Sequence, residues 1–129
     1  MKFTIALEQG AEASWGAVVP DLPSCISAGG TLDEAVDNAQ EVICSWVEDA
    51  ALDGEELPLP RPMEHWLALP EYQGRIWARV DAPVERYLGP AEKVDLPKLL
   101  LGRIDDYIRR RGGTRNGFVT DAVVAALQG

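Results

Sequence analysis

Two periodicities divide the chain. Phe3, Ile5 and Leu7 alternate with Lys2, Thr4 and Glu8, the period of a half-buried strand. Gln9 to Ser14 supplies a turn at Gly10. Trp15 to Val19 predicts a second strand, which Pro20-Asp21-Leu22-Pro23 breaks because proline cannot serve a central ladder. Ser24 to Ala28 predicts a short third strand. The spacing then changes to three and four. Leu32, Ala35, Val36, Ala39, Ile43, Trp46, Val47 and Ala50 line one helix face, with Asp33, Asp37, Glu41, Glu48 and Asp49 largely off it. Thr31 is the expected N-cap, Glu34 stands at capping-box spacing and Asp53-Gly54 closes the helix. Pro58, Pro60, Pro62 and Pro70 mark residues 55–74 as a long connection. Ile76, Ala78 and Val80 then resume the strand period. Three strands, a helix and a fourth strand predict an α+β fold, with one helix across a small antiparallel sheet.

Past residue 90 a second, smaller pattern begins. Glu92 to Leu96 alternates charged and apolar residues, with Val94 and Leu96 on one face and Lys93 and Asp95 on the other. Pro97 suits a first helical position, and Leu100, Leu101, Ile104, Tyr107 and Ile108 follow at helical spacing. Arg109 to Arg111 suit the negative end of that helix, which Gly112-Gly113 terminates. Thr114 opens a second helix with Phe118, Val119, Ala122, Val123, Ala126 and Leu127 on one face. The expected division is therefore a domain at 1–81, a linker at 82–90 and a separate unit at 91–129. A lone strand and two short helices bury too little surface to stand alone. Two copies pairing their strands would share one core of Val94, Leu96, Leu101, Ile104, Ile108, Phe118, Val119 and Val123. The paired ribbon would then fit the major groove of DNA. This stretch resembles the ribbon-helix-helix family of bacterial repressors. A helical hairpin docked on the rest of its own chain is the other solution.

Charge follows the same boundary. The net charge is −9, yet residues 1–88 hold 5 Lys/Arg against 16 Asp/Glu, and residues 89–129 hold 7 against 5. An acidic part suits a basic protein partner; a slightly basic tail suits phosphate. The candidate DNA contacts are Lys93, Asp95 and Lys98 on and beside the strand, with Thr114, Arg115 and Asn116 at the second helix start. Asp95 has the chemistry to accept from a cytosine amine. The first Gly-Gly-Thr stretch is followed by Asp33 and Glu34, whereas Thr114 is followed by no carboxylate before Asp121, leaving helix N–H groups beside Arg115 for an anion. An ordinary capped helix with a solvated Arg is the plainer reading.

Catalysis finds little support. The first strand holds no carboxylate for two-metal chemistry, and His65 is the only imidazole. It stands in the proline-rich connection as a surface or helix-capping residue. Cys25 and Cys44 read as reduced cysteines, with a disulfide not required; their spacing does not suggest zinc, and no metal or cofactor is expected. No leader pattern or long apolar run appears, which predicts a cytoplasmic protein without a membrane partner. Asp37, Glu41, Glu48 and Asp49 form either a partner face or a solvated one, and Trp15, Trp66 and Trp77 are either interface anchors or core.

Residues 21–43, DLPSCISAGGTLDEAVDNAQEVI, are similar to the signature of HicB-type antitoxins, in which an Asp-Leu-Pro-x-Cys strand precedes a Thr-x-x-Glu-Ala helix. RYLGPAEKV (86–94) and TRNGFVTDAVVAAL (114–127) resemble that family's linker and ribbon-helix-helix tail. The resemblance implies a truncated RNase H-like N-terminal domain that covers a HicA-type toxin, a small basic mRNA-cleaving RNase. It also implies a C-terminal unit that represses the operon by binding operator DNA as a homodimer; a tetramer through the N-terminal domains stays open. An orphan ribbon-helix-helix regulator with an oligomerising or ligand-sensing N-terminal domain is the competing function. An RNA-processing enzyme is a third, for which the sequence offers no ligands.

Overall fold

The computed structural model describes residues 1–128. Strands β1 (Lys2–Gln9), β2 (Trp15–Val18), β3 (Ile26–Gly29) and β4 (Ile76–Asp81) form one antiparallel sheet in the order β3-β2-β1-β4. Helix α1 (Leu32–Leu52) packs across it, a short α2 (Met63–Leu67) lies in the return connection, and α3 (Lys98–Arg111) and α4 (Arg115–Gln128) form the C-terminal hairpin. The result is a mixed α/β molecule whose sheet and α1 appear in the expected chain order.

The core lies between sheet and α1. Phe3, Ile5 and Leu7 are at most 1% exposed and meet Ala35, Ala39, Ile43 and Val47 in one cluster. The helix start holds as its residues suggest. Thr31 Oγ1 accepts from Glu34 N at 3.1 Å, and Glu34 Oε2 accepts in return from Gly30 N at 2.8 Å. Gly29 is required here: a Cβ would stand 2.5 Å from the Ala35 nitrogen, so only a hydrogen lets β3 approach the first turn of α1.

Several expectations change. β1 is not half-buried, since Thr4 and Ala6 are also inaccessible. It is a central strand, and Trp77 stands opposite Ala6 on that second face, edge-on to Tyr72 at 5.6 Å, with Tyr72 edge-on to Trp66 at 6.2 Å. The connection at 55–74 also carries α2, which starts after Pro62 and brings Trp66 to this aromatic row. β3 begins at Ile26 rather than Ser24, because Ser24 takes a left-handed φ of 62° that no strand accommodates. There Leu22, 1% exposed, plugs the core while Cys25 N donates to Leu22 O.

The C-terminal unit differs more. Pro97 caps α3 from outside instead of occupying its first turn. Gly112, at φ 81°, ends it as expected. Residues 92–96 form no strand: one chain gives them no ladder partner, and Val94 is 82% exposed. On α4 the buried residue is Val124, outside the expected face, and it joins the N-terminal core cluster; the Gln128 amide also donates to Leu59 O. Residues 122–127 are uniformly apolar, so periodicity could not select a face. The hairpin therefore touches its own chain along one edge of α4.

Candidate functional site

The two halves present different surfaces. On the C-terminal unit, Ile104 is buried, Leu96, Leu101, Ile108, Phe118 and Val119 are half-buried, and Val94 and Val123 are exposed. Tyr107 and Phe118 meet edge-on at 5.0 Å and join α3 to α4. Leu99, Leu100 and Leu127 add to the exposed apolar area, more than scattered surface residues ordinarily supply.

The six candidate DNA residues are not all brought together. Asp95, Thr114, Arg115 and Asn116 line a cleft of about 1100 Å³ between the tail and the N-terminal domain, whose side contributes Asp81 and Glu85. Lys93 is exposed but does not line it, and Lys98 opens onto a separate shallow groove with Arg103 and Arg109. Thr114 behaves as a cap, its Oγ1 accepting from Gly117 N at 3.0 Å. Arg115 is exposed but not unpaired. Its Nε and Nη2 donate to the two carboxylate oxygens of Asp105 at 2.8 and 2.7 Å, a bidentate pair that ties α4 back to α3. The guanidinium holds the Asp105 carboxyl below the usual carboxylate range. The carboxylate that the α4 start lacks in sequence is thus supplied by α3, ten residues back in the chain. Arg109 pairs with Asp106, and Arg111 stacks on the Tyr107 ring at 4.9 Å.

On the N-terminal domain, Asp37, Glu41, Glu48 and Asp49 are exposed along α1, and none makes an ion pair among the described residues. Trp15 packs against the core. Trp46 donates its indole N–H to Pro23 O at 2.9 Å, and Trp66 and Trp77 are half-buried within the aromatic row. His65 is exposed beside Trp66. Sequence reasoning missed Asp21. Its Oδ1 accepts from Arg61 N at 2.7 Å, stitching the strand-breaking loop to the return connection, while Oδ2 is buried without a partner. Burial raises its pKa, and the Arg61 N–H and nearby positive charge offset this in part. The signal was an acidic residue between two prolines in an otherwise apolar stretch.

Cys25 and Cys44 are free, and burial pushes the Cys25 thiol up to about 11. Among the described residues there is no group of three or more potential metal ligands, and no helix is long and apolar enough to cross a membrane.

Comparison with known proteins gives a consistent result. The family described as HicB_like antitoxin of bacterial toxin-antitoxin system matches residues 3–123. A 14.9 kDa protein from the rep-hol intergenic region of Haemophilus phage HP1 is 46% identical over 92 residues, covering 70% of this chain and 69% of that protein. The crystal structure of the Burkholderia pseudomallei antitoxin HicB superposes with a TM-score of 0.65 at 34% identity, over 98% of both chains. A chain of the HicA3 and HicB3 toxin-antitoxin complex superposes with a TM-score of 0.56 at 25% identity, over 64% of this chain and 98% of that one.

Proposed function

Because the chain belongs to the HicB-like antitoxins of bacterial toxin–antitoxin systems, regulators rather than enzymes, we propose that it neutralises a HicA-type mRNA-cleaving toxin and represses its own operon. The N-terminal domain, in this reading a truncated RNase H-like fold, takes the toxin. The similarity to a chain of a HicA3–HicB3 complex supports a HicA-type toxin as the partner. The uncompensated acidic face of α1 suits a basic toxin through charge complementarity. Residues 91–129 form the ribbon-helix-helix unit. Its half-exposed apolar surface, from Val94 through Leu100 to Val123, is covered by a second copy, and residues 92–96 gain their ladder in the same step. Lys93 and Asp95 then face base edges, while Lys98, Thr114 and Asn116 lie against phosphates. Arg115 reaches a phosphate only by giving up Asp105.

Co-expression with the small basic protein encoded beside it tests the first half. The two should co-purify as a stable complex, and growth arrest by that protein should be relieved; arrest unchanged by this chain would overturn the antitoxin reading. A gel-shift titration on the upstream operator tests the second half, with saturable, salt-sensitive binding expected. Equal affinity for operator and unrelated DNA would remove autorepression.

A further inference from the structure

The C-terminal hairpin is tethered to its own N-terminal domain through α4. Val124 is 8% exposed and belongs to the core cluster of the sheet domain, and the Gln128 amide donates to Leu59 O in the return connection. Val124 and Gln128 stand one helical turn apart, on the same side of α4. Neither belongs to the proposed pairing core, which on this helix is Phe118, Val119 and Val123.

The tether decides what the rest of the hairpin faces. Asp95, Thr114, Arg115 and Asn116 line the cleft of about 1100 Å³, and so do Val94, Leu96, Leu101 and Val119 of the proposed pairing core. The opposite wall carries Asp81 and Glu85, 67% and 42% exposed, which share the one amine of Met1 at 2.9 and 2.5 Å. Two carboxylates on one ammonium leave that wall negative. A phosphate entering the cleft would meet this charge, to which Glu92 and Asp121 add. A ribbon must also sink into a groove about 8.5 Å deep, and a wall across the cleft obstructs that entry. The connection permits another arrangement. Residues 89–97 form no helix or strand, residues 88–95 are exposed, and nine extended residues reach about 30 Å.

We propose that the tail is autoinhibited. Val124 and Gln128 latch α4 to the N-terminal domain, and while they hold, the DNA-contacting and strand-pairing residues are kept against the acidic wall. Release lets the hairpin swing out about residues 89–97, pair with a second copy and reach the operator. The proposal rests on the ribbon-helix-helix reading above. Because latch and pairing core use different residues of α4, one can be removed without the other.

Locking the latch in the full-length protein tests it. With Cys44 replaced by serine, Leu59→Cys and Gln128→Cys place two thiols at the contact, and a short bismaleimide joins them. The linked product should have the mass of one chain. It should lose operator binding in a gel shift and the concentration dependence of hairpin melting, both of which the unlinked protein keeps. Val124→Asp should act in the opposite sense. It should raise operator affinity about tenfold, because burial of a valine no longer holds down the open fraction, while the sheet domain still unfolds cooperatively. If the unlinked protein binds no operator, the DNA reading fails by itself, and the concentration dependence of melting decides the inference. Linking only between chains, equal pairing of linked and unlinked protein, or a folded Val124→Asp protein that gains neither affinity nor pairing would overturn it.

Discussion

The N-terminal domain and the C-terminal hairpin have similar apolar content but spend it differently. In the first, β1 and α1 close on each other until Phe3, Ile5, Ala35, Ala39 and Ile43 are essentially inaccessible. In the second, two helices of fourteen residues bury only Ile104 and Val124, leaving Leu99, Leu100, Val123 and Leu127 open. A sheet with a helix across it completes a core within one chain. A helical hairpin of this length has one contact face, and most of it points away from its own domain. The contrast teaches that a sheet crossed by a helix hides nearly all of its apolar face, whereas a helical hairpin leaves most of its own open, the surface that a second copy covers in the function proposed above.

The contrast can be broken most directly at Ile43. Ile43→Ala should cost about 2–5 kcal/mol in denaturant unfolding, independent of protein concentration. Leu101→Glu should barely move that transition but should abolish the concentration dependence of hairpin melting and with it operator binding, measured by gel shift. Gly29→Ala forces a methyl group into the Ala35 backbone and should cost about 1–3 kcal/mol, read in the same unfolding experiment. Lys93→Ala should lower discrimination between operator and mutant operators by about 1–3 kcal/mol with the sheet domain unaffected. The smallest effect concerns acidity. Asp21 has its pKa raised in the folded state, so as pH rises above the ordinary carboxylate range the unfolded chain ionises first. Its contribution is therefore fullest at low pH and is lost as pH climbs through the folded value. Asp21→Asn keeps an acceptor for Arg61 N and should flatten that part of the stability–pH curve.

What could be read in the sequence follows the same division. The β1 alternation, the α1 face and the Thr31–Glu34 cap were legible because each is a local pattern satisfied within the domain. Thr4 was misjudged because burial of its face depends on Trp77 and the returning connection, which alternation does not report. On α4 the run from Ala122 to Leu127 carries no polar residue, so Val124 could not be singled out. The Arg115–Asp105 pair was hidden for another reason: the carboxylate sits on α3, and no local pattern around the start of α4 reports a partner on the preceding helix. The residues proposed to face DNA rest on the family resemblance and on charge placement, since nothing local distinguishes Lys93 from any exposed lysine.

Cys25 gives the N-terminal domain a chemical clock. Covered by the core and with its proton held up to a pKa of about 11, this thiol presents almost no thiolate at neutral pH. An alkylating reagent therefore reaches it only when the structure over it opens, and its labelling rate counts those openings. With Cys44 replaced by serine, slowing of that rate on adding toxin would reveal how firmly a bound partner holds the domain shut.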